Sequence, residues 1–115
     1  MMRIEMVTID CRDPRALGQW WARQLGGRLG DGFEGDEYLV LSMPDGPRLG
    51  FQRVADPTPG KNRLHLDLAA PDRELEVERL LTDGALEVAR HEEAGFAWVV
   101  LADPEGNQFC VSQAH

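Results

Sequence analysis

The sequence predicts an α+β fold made of two similar βαβββ modules. The first observation behind this prediction is a repeated pattern: Tyr38–Gly46 and Trp98–Gly106 each contain an aromatic residue, three aliphatic residues and a closing Pro-acid-Gly turn, 60 positions apart. The second observation is that each half shows strand-like alternation, then one helix-like segment, then further strand-like segments. Such a repeat indicates one supersecondary unit that occurs twice. Because one helix cannot cover both faces of a sheet, each module should leave one sheet face open.

The length of 115 residues predicts a single domain rather than two independent ones. The two copies, residues 3–55 and 62–114, should therefore share a core within one domain that spans residues 1–115. The segment 56–61 has the sequence Asp-Pro-Thr-Pro-Gly-Lys, which is typical of a linker. We expect this linker to join the two modules.

The charge of the chain excludes several classes of function. A formal net charge of −8 and a pI near 4.7 disfavour binding to nucleic acid and to anionic membranes.

The sequence has no apolar run near the roughly 18 residues of a spanning helix and no signal-peptide pattern, so we expect a cytoplasmic protein. Cys11 and Cys110 lie far apart and outside any Cys-x-x-Cys motif, which predicts reduced thiols.

The first module begins with alternating residues at 4–11, which predict a half-buried strand. A helix should then start at Asp13 and Pro14, because Asp is a favoured N-cap and Pro suits the first helical position. Two strands at residues 38–43 and 48–54, joined through the Pro-Asp-Gly turn, follow the helix. The apolar residues of this helix and the glycine that ends it are Leu17, Trp20, Trp21, Leu25 and Gly26.

The second module repeats this order. Residues 63–68 alternate and predict a strand whose helix-facing side chains are Leu64, Leu66 and Leu68. Pro71 and Asp72 open a helix that ends at Gly84 and whose apolar residues are Leu75, Leu80 and Leu81. Three strands are predicted at residues 86–89, 96–101 and 108–113. The segment His91–Glu93 is predicted to be a loop.

The open faces of the two sheets should carry polar side chains. Because side chains alternate along a strand, the residues between core positions point to the opposite face. We favour a wet concavity lined by these residues over plain solvated sheet faces, which are the alternative. Phe33, Phe51 and Phe96 are expected at its rim, and Tyr38 and Trp98 are interpreted as sheet-core anchors. The polar set comprises Met6, Thr8, Asp10, Arg48, Gly50, Gln52, Arg63, His65, Asp67, Gln108, Cys110 and Ser112.

Taken together, these features resemble the vicinal oxygen chelate superfamily, which includes glyoxalase I, extradiol dioxygenases, methylmalonyl-CoA epimerase and the bleomycin and fosfomycin resistance proteins. The resemblance covers residues 4–113 and depends on the paired modules, the strand Asn62–Leu68 and the ending Leu101–Val111. The chain looks most like the small glyoxalase-like domain branch. The resemblance implies that the two modules form a half-open barrel around one central cavity.

The resemblance also implies where a metal would bind. Metal-dependent members take one ligand from the first and one from the last strand of each module, usually His or Gln followed by Glu. Those positions fall here on Met6, Gly50, His65 and Cys110. Glycine has no side chain, and hard cations do not favour a thioether. We therefore expect no metal and no other cofactor. The alternative is a divalent metal held by His65 and Cys110 and completed by Asp67, Asp10 or a ligand atom.

Several polar residues are candidates for a role in binding or catalysis. His65 is the preferred general acid or base, with Asp67 or Asp10 as the alternative proton carrier. Lys61 and Arg63 form a basic cluster that can hold an anionic group, or that merely balances nearby carboxylates. The predicted catalytic residues are His65 and Asp67, and the predicted ligand-binding residues are Met6, Thr8, Asp10, Arg48, Gln52, Arg63, Cys110 and Ser112.

Three functions are consistent with the sequence. The leading hypothesis is a glyoxalase- or bleomycin-resistance-like protein that binds a small organic ligand in the cavity between the modules, with at most weak metal-independent activity at His65. The second is a lyase, isomerase or dioxygenase that recruits a divalent metal through His65 and Cys110 with a chelating substrate. The third is an accessory domain with a vestigial pocket, which dimerises through a sheet edge. A homodimer is expected.

Overall fold

The computed structural model of the chain describes residues 1, 4–31, 35–62 and 64–114. It contains two compact units, Met1–Pro57 and Thr58–His115. Each unit has the predicted βαβββ order and forms one four-stranded mixed sheet. We refer to these units as the first and the second module.

The first module contains β1 (Met6–Cys11), α1 (Pro14–Leu25), β2 (Arg28–Leu29), β3 (Tyr38–Ser42) and β4 (Arg48–Arg53). Its strand order is β1-β4-β3-β2, in which β1 runs parallel to β4 and the other neighbours are antiparallel. The strand β2 lies in the Gly-rich stretch where the sequence pattern located no strand. Two residues are too few to show a period, so this strand is visible only through its pairing with β3.

The helix α1 begins and ends where the sequence predicts. The Asp13 carboxylate accepts a hydrogen bond from the Ala16 amide at 3.1 Å, and Gly26 closes the helix in the left-handed conformation with φ of 69°. Leu17, Trp20 and Trp21 are buried against the sheet. The sheet side of this core consists of Leu39, Leu41, Leu49 and Phe51.

Phe51 is completely buried in this core, so its predicted place at the rim of a cavity is wrong. The physical reason is the two-residue period of β4. Phe51 shares its side of the strand with Leu49, which is also buried, whereas Gly50 and Gln52 take the other side.

The second module contains β5 (Leu66–Ala70), α2 (Arg73–Thr82), β6 (Leu86–Glu93), β7 (Phe96–Ala102) and β8 (Gln108–Gln113). Its strand order, β5-β8-β7-β6, corresponds strand by strand to that of the first module. The strand β5 is parallel to β8, and the other neighbours are antiparallel. The buried apolar residues of this module are Ala70, Val77, Leu80, Ala85, Val99, Leu101, Ala102, Phe109 and Val111.

The helix α2 is capped by Asp72, whose carboxylate accepts from the Leu75 amide at 3.2 Å. Its buried residues are Val77 and Leu80, which lie three apart on the sheet-facing side. Leu75 and Leu81, the other apolar residues of the predicted helix, are exposed because they point away from that stripe. Leu64 is exposed as well, since it precedes β5 and has no partner strand.

In the part of the chain that the structure describes, neither α1 nor α2 is long and apolar enough to cross a membrane.

The strand β6 extends to Glu93, so the predicted loop at His91–Glu93 is wrong. The strand continues because it pairs with β7 up to the turn, where Glu93 faces Phe96. Ala94 and Gly95 have φ values of 51° and 82°, which is the geometry of a tight two-residue hairpin. His91 therefore lies within the sheet, opposite Trp98.

Candidate functional site

The open face of the second sheet carries a cavity of about 710 Å³. All the residues that line it belong to the second module and come from β5, β6, β7, β8 and the segments that flank them. The polar and aromatic lining residues are Lys61, His65, Asp67, His91, Glu93, Phe96, Trp98, Gln108, Cys110 and Ser112.

Parallel pairing of β5 with β8 explains why three of these side chains lie together. Asp67 is the register partner of Cys110, and the neighbouring pair on β5 and β8 is Leu66 with Phe109. Since Phe109 is buried under the helix, the alternate residues Asp67 and Cys110 face the open side. The sequence pattern predicted this arrangement correctly.

His65, Asp67 and Cys110 form the tightest group of chemically active side chains in the cavity, and we call them the donor cluster. One ligand atom from each lies within 4.8 Å of the other two. The His65 Nδ1 atom is 3.0 Å from Asp67 Oδ1, which is hydrogen-bonding distance. Asp67 thus fixes one nitrogen of the imidazole and leaves the other for a ligand or a proton.

The thiol of Cys110 is free and partly buried. Its pKa is raised above the ordinary thiol value, first by burial and then by the charge of Asp67 and a hydrogen bond to that carboxylate. The positive charge of Lys61 acts in the opposite direction. At neutral pH the cluster therefore holds a protonated thiol, which is a weak nucleophile.

An aromatic wall borders the cavity, and it consists of His91, Phe96 and Trp98. The rings of His91 and Trp98 are stacked, with centroids 5.2 Å apart and an interplanar angle of 29°. Phe96 lies 5.7 Å from Trp98 at an angle of 34°. The predicted place of Phe96 beside the cavity is confirmed.

Trp98 is part of this wall and not a core anchor, so that prediction was wrong. The period of β7 gives the reason: Val99 and Leu101 are buried, so Trp98 faces the open side. The same signal could have assigned Trp98 from the sequence. His91 was missed because its strand was not recognised, and a longer β6 would have placed it opposite Trp98.

In the first module the equivalent positions are occupied differently. Met6, Thr8 and Gly50 stand where the second module has His65, Asp67 and Cys110, and Tyr38 stands where it has Trp98. The Tyr38 hydroxyl lies 3.2 Å from Thr8 Oγ1 and donates to Met6 Sδ at 3.4 Å. A Cβ atom at Gly50 would lie 2.7 Å from this hydroxyl oxygen.

The phenol of Tyr38 therefore fills the space that a side chain at position 50 would need. Tyr38 was interpreted as a core anchor, and this interpretation was wrong for the same reason as at Trp98. Its neighbours Leu39 and Leu41 are buried, and Tyr38 faces the other side of β3.

The remaining predicted ligand-binding residues have varied surroundings. Arg48 is 3.7 Å from the Glu5 carboxylate, while Asp10 and Gln52 are exposed on β1 and β4. The Ser112 hydroxyl lines the cavity and donates to the Leu68 carbonyl at 3.4 Å. Arg63 and Phe33 lie outside the described residues.

A polar turn fixes the start of β8 and hence the position of Cys110. Asp103 is almost completely buried, and its Oδ1 atom accepts from the amides of Glu105 and Asn107, each at 2.9 Å. The side chain of Asn62 accepts from the Gln108 amide at 3.0 Å. These bonds hold the β7 to β8 connection and the entry to β5 together.

Comparison with known proteins assigns the chain to a class. Two βαβββ modules, each a four-stranded mixed sheet, are typical of the vicinal oxygen chelate fold. The family model described as "Glyoxalase-like domain" matches residues 6–112. The chain belongs to this family.

Solved structures share the fold over nearly the whole chain. A glyoxalase/bleomycin resistance protein/dioxygenase family enzyme from Burkholderia phytofirmans PsJN has 19% identity and a TM-score of 0.81, with 99% of this chain and 100% of that one covered. A superfamily member from Sphaerobacter thermophilus DSM 20745 has 17% identity and a TM-score of 0.75, with coverage of 99% and 98%. A possible glyoxalase from Bacillus cereus has 21% identity and a TM-score of 0.72, with coverage of 97% and 99%. A search of curated proteins finds no match.

The donors of the first module do not fit the superfamily's four-ligand metal site. Met6 offers a thioether that already accepts from the Tyr38 hydroxyl, and Gly50 offers no side chain. The Tyr38 hydroxyl also blocks the space beside Gly50. Donors suited to a divalent metal are present in the second module, where His65 and Cys110 are joined by Asp67.

Proposed function

We propose that the chain is a small-molecule-binding protein of the glyoxalase and bleomycin-resistance type, whose organic ligand occupies the cavity of the second module. In this proposal the organic ligand binds without a four-ligand metal centre. The observation that carries it is the combination, in one cavity of about 710 Å³, of an aromatic wall with the donor cluster. This volume lies within the roughly 300–1,000 Å³ of small-molecule sites.

The lining supports a ligand with a planar apolar part and a polar edge. The stacked rings of His91 and Trp98 offer a flat surface for a planar group. Opposite charges at Lys61, Asp67 and Glu93 favour a ligand that carries both donors and acceptors. Gln108 and Ser112 add neutral hydrogen-bonding groups.

A thermal-shift screen in the presence of a chelator tests this proposal. The library should contain planar heteroaromatic acids, planar amines and aromatic antibiotics, because a ligand of the native state raises the melting temperature. We expect hits whose affinity falls about tenfold in Trp98→Ala, which corresponds to the roughly 1.4 kcal/mol that one good aromatic contact contributes.

Tyr38→Phe is the matched control, because Tyr38 occupies the corresponding position of the first module. Hits that survive Trp98→Ala unchanged would contradict the proposed cavity. The absence of any hit in the library would contradict ligand binding and favour the accessory domain with a vestigial pocket.

A second candidate is metal-independent acid–base catalysis on the bound ligand. The hydrogen bond of 3.0 Å between His65 and Asp67 favours it, because a carboxylate that orients an imidazole is a common arrangement for proton transfer. The test is deuterium exchange into hits that carry acidic carbon–hydrogen bonds. Exchange that is lost in His65→Gln supports catalysis, and exchange at the rate of the protein-free solution contradicts it.

A further inference from the structure

We propose that the donor cluster is a binding site for a thiophilic divalent ion such as Zn²⁺, formed entirely by the second module, with one coordination position open to the cavity. The site differs from the superfamily's metal site in two respects. It uses Asp67, which is not one of the superfamily's ligand positions, and it takes no ligand from the first module. It goes beyond the proposed function, which needs no metal.

The spacing of the three donors suits one small ion. Ligand atoms on a tetrahedral zinc ion lie roughly 3.3–3.8 Å apart, given bond lengths of about 2.0–2.3 Å. The donor atoms of His65, Asp67 and Cys110 all lie within 4.8 Å of one another. The closest pair, His65 Nδ1 and Asp67 Oδ1, is 3.0 Å apart. Side-chain rotations that move the donor atoms by about an ångström would therefore complete the arrangement.

The donor types select the kind of ion. Imidazole, carboxylate and thiolate are the ligands of zinc sites, and three protein ligands with one open position are typical of reactive zinc centres. Hard cations such as Mg²⁺ and Ca²⁺ prefer six or more oxygen ligands, and this cluster offers one carboxylate. Thiolate sulfur favours Zn²⁺ and other soft ions over them.

The first module provides an internal comparison. At its equivalent positions Met6, Thr8 and Gly50 offer a thioether, a hydroxyl and no side chain. Among the described residues, the cluster in the second module is the one in which three metal-ligating side chains meet. The site therefore follows from the side chains at these positions and not from the fold, which both modules share.

Binding of the ion exchanges a proton for a metal bond. The Cys110 thiol loses its proton to solvent, the sulfur lone pair forms the bond to the ion, and no electron is transferred.

Cobalt titration tests the site directly. Metal-free protein with reduced thiols should be titrated with Co²⁺, which absorbs light where Zn²⁺ does not. We expect one equivalent to produce a thiolate-to-cobalt charge-transfer band in the near ultraviolet together with tetrahedral bands in the visible, and Zn²⁺ should remove both. Cys110→Ser should abolish the charge-transfer band. His65→Gln and Asp67→Asn should each weaken binding by roughly tenfold or more, since even supporting residues of metal sites contribute that much.

Cys11→Ala is the matched control, because Cys11 is the other cysteine of the chain and is buried in the first module. It should retain the band. A charge-transfer band that persists in Cys110→Ser or disappears in Cys11→Ala would overturn the assignment, and so would unchanged affinity in Asp67→Asn. Only weak octahedral cobalt absorption in the wild type would overturn the site itself.

The folding of each variant is checked by the near-ultraviolet circular dichroism of the buried tryptophans. If Cys110→Ser does not fold, His65→Gln decides the outcome, because its side chain is 43% exposed and contributes little to packing. The proposed organic ligand depends on Trp98, whereas the ion depends on Cys110. Failure of the metal site therefore leaves the proposed function intact, and failure of the ligand screen leaves the metal site intact.

Discussion

The two modules share an architecture and differ in what occupies their open faces. Both place a helix on one side of a four-stranded sheet with the same strand order. In the first module the Tyr38 hydroxyl fills the space beside Gly50 and contacts Met6 and Thr8. In the second module the corresponding space lies beside Trp98 and contains the donor cluster.

The repeated pattern therefore specifies the scaffold, while a few open-face residues decide which module carries reactive groups. The buried residues follow the same period in both sheets, as Leu39 and Leu41 do in β3 and Val99 and Leu101 do in β7. The open faces have no common core to fill, so their side chains are free to differ. Gly50, the counterpart of Cys110, leaves the space that the Tyr38 hydroxyl fills in the first module.

The largest predicted difference concerns the tryptophans. Trp21 is 1% exposed in the core of the first module, so Trp21→Ala should lower the free energy of unfolding by about 3–5 kcal/mol. Trp98 is half-buried, and its ring pairs with those of His91 and Phe96, so Trp98→Ala should cost about 1–2 kcal/mol. Chemical denaturation of both variants measures the two values. Equal losses would contradict the different roles of the two residues.

The turns after β3 and β7 should also respond differently. Asp103→Ala leaves the half-buried amides of Glu105 and Asn107 without their acceptor, which should cost about 1–3 kcal/mol. Asp45 is exposed in the corresponding turn of the first module, so Asp45→Ala should stay within about 0.5 kcal/mol. Thermal unfolding of the two variants provides the comparison. A destabilisation by Asp45→Ala as large as that by Asp103→Ala would show that the buried acceptor is unimportant.

A double-mutant cycle sharpens the account of the filled first site. Gly50→Ala should destabilise by about 1 kcal/mol, because its Cβ would lie 2.7 Å from the Tyr38 hydroxyl oxygen and 2.9 Å from Thr8 Oγ1. In the Tyr38→Phe background the same change should cost less, since the nearest clashing atom is gone and Thr8 Oγ1 remains. The free energies of unfolding of the four proteins give the coupling. Additive effects would mean that the phenol does not exclude a side chain at position 50.

The smallest predicted effect is a pH-dependent one on α2. The hydrogen bond from Arg79 holds the pKa of Glu76 below its usual value, at an N–O distance of 2.7 Å. A lowered folded-state pKa means stability that is present above the unfolded value near 4.3 and lost as the pH falls through the folded value. Arg79→Ala should cost about 0.3–0.5 kcal/mol at pH 7 and less in high salt. Denaturation at pH 7 and pH 3 measures this, and an equal cost at both pH values would contradict the assignment.

Much of the fold follows from the sequence. Asp13, Pro14 and Gly26 mark the ends of α1, and the alternation along β8 places Cys110 and Ser112 on the open face as predicted. The failures occur where periodicity is weak or ambiguous. The strand β2 has two residues, and Leu75 and Leu81 are apolar but lie off the buried stripe of α2.

The site was predicted only in part, because its composition depends on pairing between strands. His65, Asp67, Cys110 and Ser112 were predicted from their own strands. His91 was missed because its strand was not recognised, and its stacking on Trp98 follows from the register between β6 and β7, which a pattern along one strand does not contain. Trp98 was misassigned although the period of β7 places it on the open face. The ligand-binding roles predicted for Met6, Thr8, Asp10, Arg48 and Gln52 stay predictions, as does the homodimer.

The most direct test of the claim that the second module carries the binding site is a nitrogen-15 NMR titration of the tryptophan indole groups. Trp20 and Trp21 lie in the core of the first module, and Trp98 lies in the cavity of the second. With a compound selected in the chelator-containing screen, we expect the Trp98 indole resonance to shift with occupancy while those of Trp20 and Trp21 stay in place. Saturable shifts at Trp20 and Trp21 with an unchanged Trp98 resonance would contradict it.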